Sequence, residues 1–115
     1  MVLLIFLRGR LQTSHFLVKT KNEKKLYKKL LAWKKSINFQ KNDQTFAFHF
    51  TTLEANEPEN SEEIFREIFG IKPFALCLNG KQSSTGAYHY KMDWFRRRSG
   101  PVYVIVNMKV LTENF

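Results

Sequence analysis

The sequence predicts a small α+β domain, with two helices packed on one face of a mixed or mostly antiparallel sheet of about five to six strands, in the order ββαβαβββ. Three observations lead there. Two segments place apolar residues at helical spacing behind capping residues. Several others alternate with the period of two that marks a half-buried strand. The length of 115 residues, 43% of them hydrophobic, suits a single domain over 1–115 with a core of its own.

Along the chain, Val2-Leu3-Leu4-Ile5-Phe6-Leu7 has no polar alternation and reads as a strand buried on both faces. Arg8-Gly9-Arg10 offers a turn, and His15-Phe16-Leu17-Val18-Lys19 reads as a second strand paired with the first as a hairpin. Thr20-x-x-Glu23 has the form of a capping box. Behind it, Leu26, Leu30, Trp33 and Ile37 share one face of a helix over 21–37. Lys24, Lys28 and Lys35 fall on the opposite face, with Lys25, Lys29 and Lys34 on the flanks. In the next strand Phe46, Phe48 and Phe50 alternate with Ala47, His49 and Thr51, and the phenylalanines are expected to face the core.

An acidic loop from Glu54 to Glu59 leads to a second capping box, Asn60-x-x-Glu63. A short helix follows, with the stripe Ile64, Phe65, Ile68 and Phe69 and a terminating Gly70. Phe74, Leu76 and Leu78 alternate in a strand ended by Asn79-Gly80, and Lys81–Gly86 is a polar loop. Tyr88, Tyr90, Met92 and Trp94 mark another strand, Arg96–Pro101 a turn, and Val102, Val104, Val106, Met108 and Val110 the last strand. Both faces of that strand are apolar up to Asn107, which favours a central place in the sheet. The last three strands are expected to form an antiparallel meander.

Charge is the main pointer to function. The chain carries 19 Lys+Arg against 10 Asp+Glu, a net charge of +9. Residues 1–38 hold +9, residues 39–71 hold −5 and residues 72–115 hold +5. A basic–acidic–basic chain that folds its two positive ends onto one surface attracts polyanions. The helical lysines stand at i,i+4 from one another without the acidic partners that usually relieve them. Three adjacent arginines, Arg96, Arg97 and Arg98, must face water or an anion, since a desolvated, unpaired guanidinium is too costly. Arginine recognises phosphate bidentately, and Phe95 beside them is a candidate for stacking on an unpaired base. Tyr88, Tyr90 and Trp94 read as core.

Other chemistry has little support. No apolar run reaches the roughly 20 residues of a spanning helix. One cysteine forms no disulfide framework or thiolate-rich zinc site, and Cys77, between Leu76 and Leu78, reads as a structural thiol. His15, His49 and His89 lie in separate strand-like segments and read as sheet residues at polar positions. No metal, cofactor or phosphate-cradling glycine loop is expected. Tyr88-His89-Tyr90-Lys91 resembles the tyrosine and lysine of rolling-circle nucleases, but Phe48-His49-Phe50 has one histidine where their metal motif has two. A metal-independent ribonuclease of toxin type would use His89 and Lys91 with the arginine run.

The leading expectation is a non-catalytic nucleic-acid-binding domain, RNA favoured over DNA, as a subunit of a ribonucleoprotein. Its contacts would be Lys24, Lys28, Lys35, Phe95, Arg96, Arg97 and Arg98. The first alternative is a protein-interaction subunit, because 11 phenylalanines are many for so short a chain and surplus apolar surface marks partner patches. In that case the acids of 54–67 answer a basic partner or the chain's own basic ends. The expected location is intracellular and cytoplasmic, with the acid-free residues 1–22 leaving organellar targeting open. A start and an end close to strands are compatible with a piece of a larger protein.

Overall fold

The computed structural model describes residues 11–38, 44–53, 55–78, 85–91 and 94–108, with backbone alone for 11, 87–91 and 94–98. The expected strand over 2–7, the turn at Arg8–Arg10 and the Asn79-Gly80 turn lie outside these residues. The elements are β1 (Leu11–Leu17), α1 (Glu23–Ser36), β2 (Gln44–Thr52), α2 (Ser61–Phe69), β3 (Phe74–Leu78), β4 (Gly86–Lys91), β5 (Trp94–Ser99) and β6 (Val102–Met108). The class is α+β, as expected, but among the described residues the sheet has four strands in the order β1-β6-β2-β3, and β4 and β5 form a separate two-stranded ribbon.

Topology explains why both helices lie on one face of the sheet. β6 lies antiparallel between β1 and β2, so β1 and β2 run the same way, and β3 runs parallel to β2. The chain therefore moves across the sheet in one direction through two crossovers, with α1 in the first and α2 in the second. Crossovers of one hand that progress in one direction deposit their helices on the same face. The last strand is indeed central. It does not continue the β4–β5 ribbon, so the expected meander does not form.

The reason lies at the joint between ribbon and sheet. Gly100, with φ +149°, and Pro101 separate β5 from β6. The Gly100 amide donates to the Thr85 carbonyl (2.8 Å), and the Thr85 hydroxyl donates to the Gly100 carbonyl (2.8 Å). The Pro101 carbonyl accepts from the Val18 amide just past β1 (2.8 Å). A Cβ at residue 100 would stand 3.1 Å from the Val18 carbonyl oxygen, so this close approach favours glycine.

Between helices and sheet lies a ring-rich core. Leu26, Leu30 and Trp33 of α1 meet Ile64, Phe65 and Ile68 of α2 over Ala47, Tyr103 and Ile105 of the sheet. Trp33 stacks on Phe16 (5.4 Å between centroids) and meets the edge of Phe69 (5.2 Å), while Phe65 lies parallel to Tyr103 (4.6 Å). The Trp33 indole N–H donates to Ser14 Oγ (2.7 Å), so its polar edge is satisfied inside the core.

Capping differs from the sequence expectation at both helices. Asn22, not Thr20, caps α1, accepting from the Lys25 amide (3.0 Å), while Thr20 accepts from the Asn22 amide one step upstream (3.1 Å). Asn is a stronger N-cap than Thr, which accounts for the shift. At α2, Asn60 is the N-cap residue but makes no side-chain cap bond. Gly70 ends α2 in the left-handed region (φ +73°), as its position predicts.

Candidate nucleic-acid interface

The seam of α1 turns Leu26, Leu30 and Trp33 inward, so Lys24, Lys28 and Lys35 point away from the sheet, and all three are exposed. Lys25 and Lys29 are exposed beside them. Lys34 instead donates to the Ile68 carbonyl near the end of α2 (2.8 Å), a favourable place for a cation at a helix C-terminus. Among the described residues the only ion pairs are those of His49. The lysine charge is thus not neutralised by the described carboxylates.

Arg96, Arg97 and Arg98 do not sit at a turn. They lie within β5, where Arg96 pairs in register with His89, Arg97 with Tyr88 and Arg98 with Ala87. Lys91 pairs with Trp94, so the reversal falls between those two residues, four positions along the ribbon from where the sequence places it. The side chains of Phe95, Arg96–Arg98, His89 and Lys91 lie outside the described part of the structure. The ribbon's backbone touches the sheet near β1, an edge strand.

Strand β2 corrects a larger expectation. Its buried residues are Ala47, His49 and Thr51, and its phenylalanines face the other way. Ala47, His49 and Thr51 lie under two helices that already fill the space with Leu26, Leu30, Trp33 and Phe65, which leaves room for small or hydrogen-bonded side chains. Phe46, Phe48 and Phe50 lie on the face away from the helices, Phe46 exposed and Phe48 and Phe50 half-buried. Register groups them into rows: His15, Val104, Phe48 and Phe74 cross the sheet in one line, and Leu17, Val102, Phe50 and Leu76 in the next. Phe48 lies 6.2 Å from Phe50 and 5.8 Å from Phe74, centroid to centroid. Phe74 is 64% exposed and Phe46 39% exposed. Cys77, expected to be a structural thiol, is exposed on edge strand β3.

His49 is the other residue that sequence reasoning undervalued. It is 3% exposed, with Nε2 2.9 Å from Glu57 and Nδ1 3.0 Å from Glu62. A neutral imidazole has one donor, while carboxylates only accept, so both contacts are hydrogen bonds when the ring carries two protons. Burial alone would lower the His49 pKa, but the hydrogen bonds and charges of Glu57 and Glu62 outweigh it and raise the value. The ring lies flat on Tyr103 (4.2 Å, 9°), a cation over an aromatic face. Tyr103 shares a hydrogen bond with Ser61 Oγ (2.5 Å), and Thr51 donates to the second oxygen of Glu57 (2.5 Å). Two acids of the 54–67 segment are therefore spent on the fold's own histidine, not on a basic end of the chain.

A cleft of about 560 Å³ lies beside this network, lined by Lys21, Thr52, Leu53, Ala55, Glu57, Pro58 and Glu59. Both carboxylate oxygens of Glu57 are committed, one to His49 and one to Thr51, so the cleft's most buried acid is bound up in structure. The two glutamates approach opposite ring nitrogens, and among the described residues no group of three or more His, Cys, Asp and Glu forms a metal site. No described helix is long and apolar enough to cross a membrane.

No protein-family model matches the chain, and neither the curated proteins nor the solved structures contain a match to it. The alternation in β2 was the signal that its rings share one face, and what it lacked was the phase. For His49 the signal was a histidine in the buried half of that alternation, with glutamates eight and thirteen residues on.

Proposed function

We propose that the chain is a non-catalytic nucleic-acid-binding domain, with RNA favoured over DNA, that works as part of a ribonucleoprotein. One observation carries the reading: a net charge of +9 with the α1 lysines exposed and, among the described residues, free of ion pairs. Unneutralised lysines on one helix face repel one another, and a phosphate backbone relieves that repulsion while releasing its condensed counterions. Lys24, Lys28 and Lys35 supply the first cationic surface. Arg96, Arg97 and Arg98, consecutive in β5, supply the second source of positive charge, divided between the two faces of the ribbon.

The test is the salt dependence of RNA binding. Affinity for a single-stranded RNA falls steeply with salt, and the slope of log K against log salt drops by about one for each phosphate contact removed. Replacing Lys24, Lys28 and Lys35 together by Gln, or Arg96, Arg97 and Arg98 together by Ala, flattens that slope. A protein that binds no RNA at low salt, or whose slope is unchanged in both triple variants, rejects the reading.

A further inference from the structure

We propose that α1 holds the phosphate backbone of RNA without reading its bases, through Lys24, Lys25, Lys28, Lys29 and Lys35 and not through Lys34. The inference rests on the RNA-binding reading and deepens it, because it names the part of the ligand that this helix touches.

Lys24, Lys25, Lys28, Lys29 and Lys35 are all exposed. At 3.6 residues per turn they fall within an arc of about 140° and along about 16 Å of helix axis. The one acid of α1, Glu23, falls outside this arc, on the side of the apolar seam. So does Lys34, which donates to the Ile68 carbonyl (2.8 Å). The same charge on the same helix is therefore engaged with the fold at Lys34 and, among the described residues, meets no carboxylate within the arc.

What the arc lacks decides how it binds. Between the lysines it holds Ala32 and Ser36, and the Ser36 hydroxyl donates its proton to the Trp33 carbonyl (2.6 Å). Asn22, just before the helix, accepts from the Lys25 amide (3.0 Å). Asn, Gln and Arg, which read base edges with paired hydrogen bonds, are absent from the arc. Lysine has donors only, on a flexible stem, and meets a phosphate as a point charge. A ring on which an unpaired base could stack is also absent, since Tyr27 stands outside the arc.

An anionic membrane is the rival polyanion. A helix that lies in a membrane surface inserts its apolar stripe, and the stripe of α1, Leu26, Leu30 and Trp33, is buried in the core. A phosphate backbone needs the cationic arc alone, which favours the nucleic acid.

The experiment measures the salt dependence of binding to oligouridylate and oligocytidylate of one length, with phosphatidylserine vesicles as a third probe. Lys25→Gln and Lys29→Gln each reduce the magnitude of the slope of log K against log salt by about 0.7, the value for one phosphate of a single strand. Each weakens binding to the two oligonucleotides by the same factor. Lys34→Gln keeps a donor for the Ile68 carbonyl and leaves the slope unchanged. A slope change from Lys34→Gln equal to that from Lys25→Gln overturns the inference, since net charge and not the arc would then set the affinity. So does a loss that differs between the two oligonucleotides, which would mean that α1 reads bases, or vesicle binding tighter than RNA binding in the same salt. A steep slope that Lys25→Gln and Lys29→Gln both leave unchanged rejects the α1 contact while the RNA-binding reading stands on other cations. If the unaltered chain binds neither oligonucleotide at low salt, the parent reading fails first.

Discussion

The two faces of β2 invert the usual division of labour in a half-buried strand. The face under the helices carries Ala47, His49 and Thr51, and the opposite face carries Phe46, Phe48 and Phe50. A buried histidine would ordinarily be the costlier choice. Here it is held between two carboxylates, stacked on Tyr103 and tied through Thr51 and Ser61 to neighbouring elements. The large rings that a core would accept stand on the side away from α1 and α2. The difference teaches that apolar character decides how much a residue gains from burial, while the helices decide which face is buried.

The largest effect that tests this contrast comes from removing one ring on each side. Phe65 is 0% exposed and packs flat on Tyr103, so Phe65→Ala should cost about 3–5 kcal/mol. Phe74, at 64% exposure, should cost below about 1 kcal/mol when made Ala. Urea unfolding midpoints measure both. Equal losses would mean that the Phe74 side of the sheet is packed as firmly as the helix side.

Next in size is the histidine clamp. His49→Ala leaves Glu57, whose side chain is 10% exposed, without its counter-charge, and the expected loss is about 3 kcal/mol. Glu62 is 45% exposed on the other side of the ring, so Glu62→Gln should cost below about 1 kcal/mol. The same unfolding series checks the ranking His49 over Glu62. A reversed ranking would mean that Glu62 stabilises the fold through something other than His49.

How much of this could be read from residues alone depends on how local the signal is. The seam Leu26, Leu30, Trp33 is legible because a helix repeats within a few residues, and its three members are the buried ones. Gly70 is legible because a left-handed cap needs glycine. The phase of β2 is not. Both of its faces lack charge other than His49, and the choice between them is made by α1 and α2, distant in sequence. The arginine run misleads for a related reason. Ser99-Gly100-Pro101 has turn chemistry, but it marks the joint between ribbon and sheet, and the ribbon itself reverses between Lys91 and Trp94. For the candidate interface, the lysine face of α1 was readable in full, and the place of Arg96–Arg98 within β5 required the topology.

The smallest expected effect is the pH dependence of stability, because deprotonating His49 keeps its ring on Tyr103 and one of its two hydrogen bonds. Burial pushes the Glu57 carboxyl up, but the bonds from His49 and Thr51 and the His49 charge bring it below its ordinary 4.5, while His49 lies above its ordinary 6.5. The signs follow by linkage. The Glu57 contribution is present above 4.5 and is lost as pH falls through its lowered folded value. The His49 contribution is present below 6.5 and is lost as pH rises through its raised folded value. Stability from the pair therefore has a plateau between 4.5 and 6.5 and declines on either side. Unfolding midpoints measured from inside that plateau to well above 6.5 should show the alkaline decline in the parent chain and lose it in His49→Ala. If the parent instead gains stability as pH rises above 6.5, His49 is neutral in the fold, and the covered face is held by hydrogen bonds without the charge.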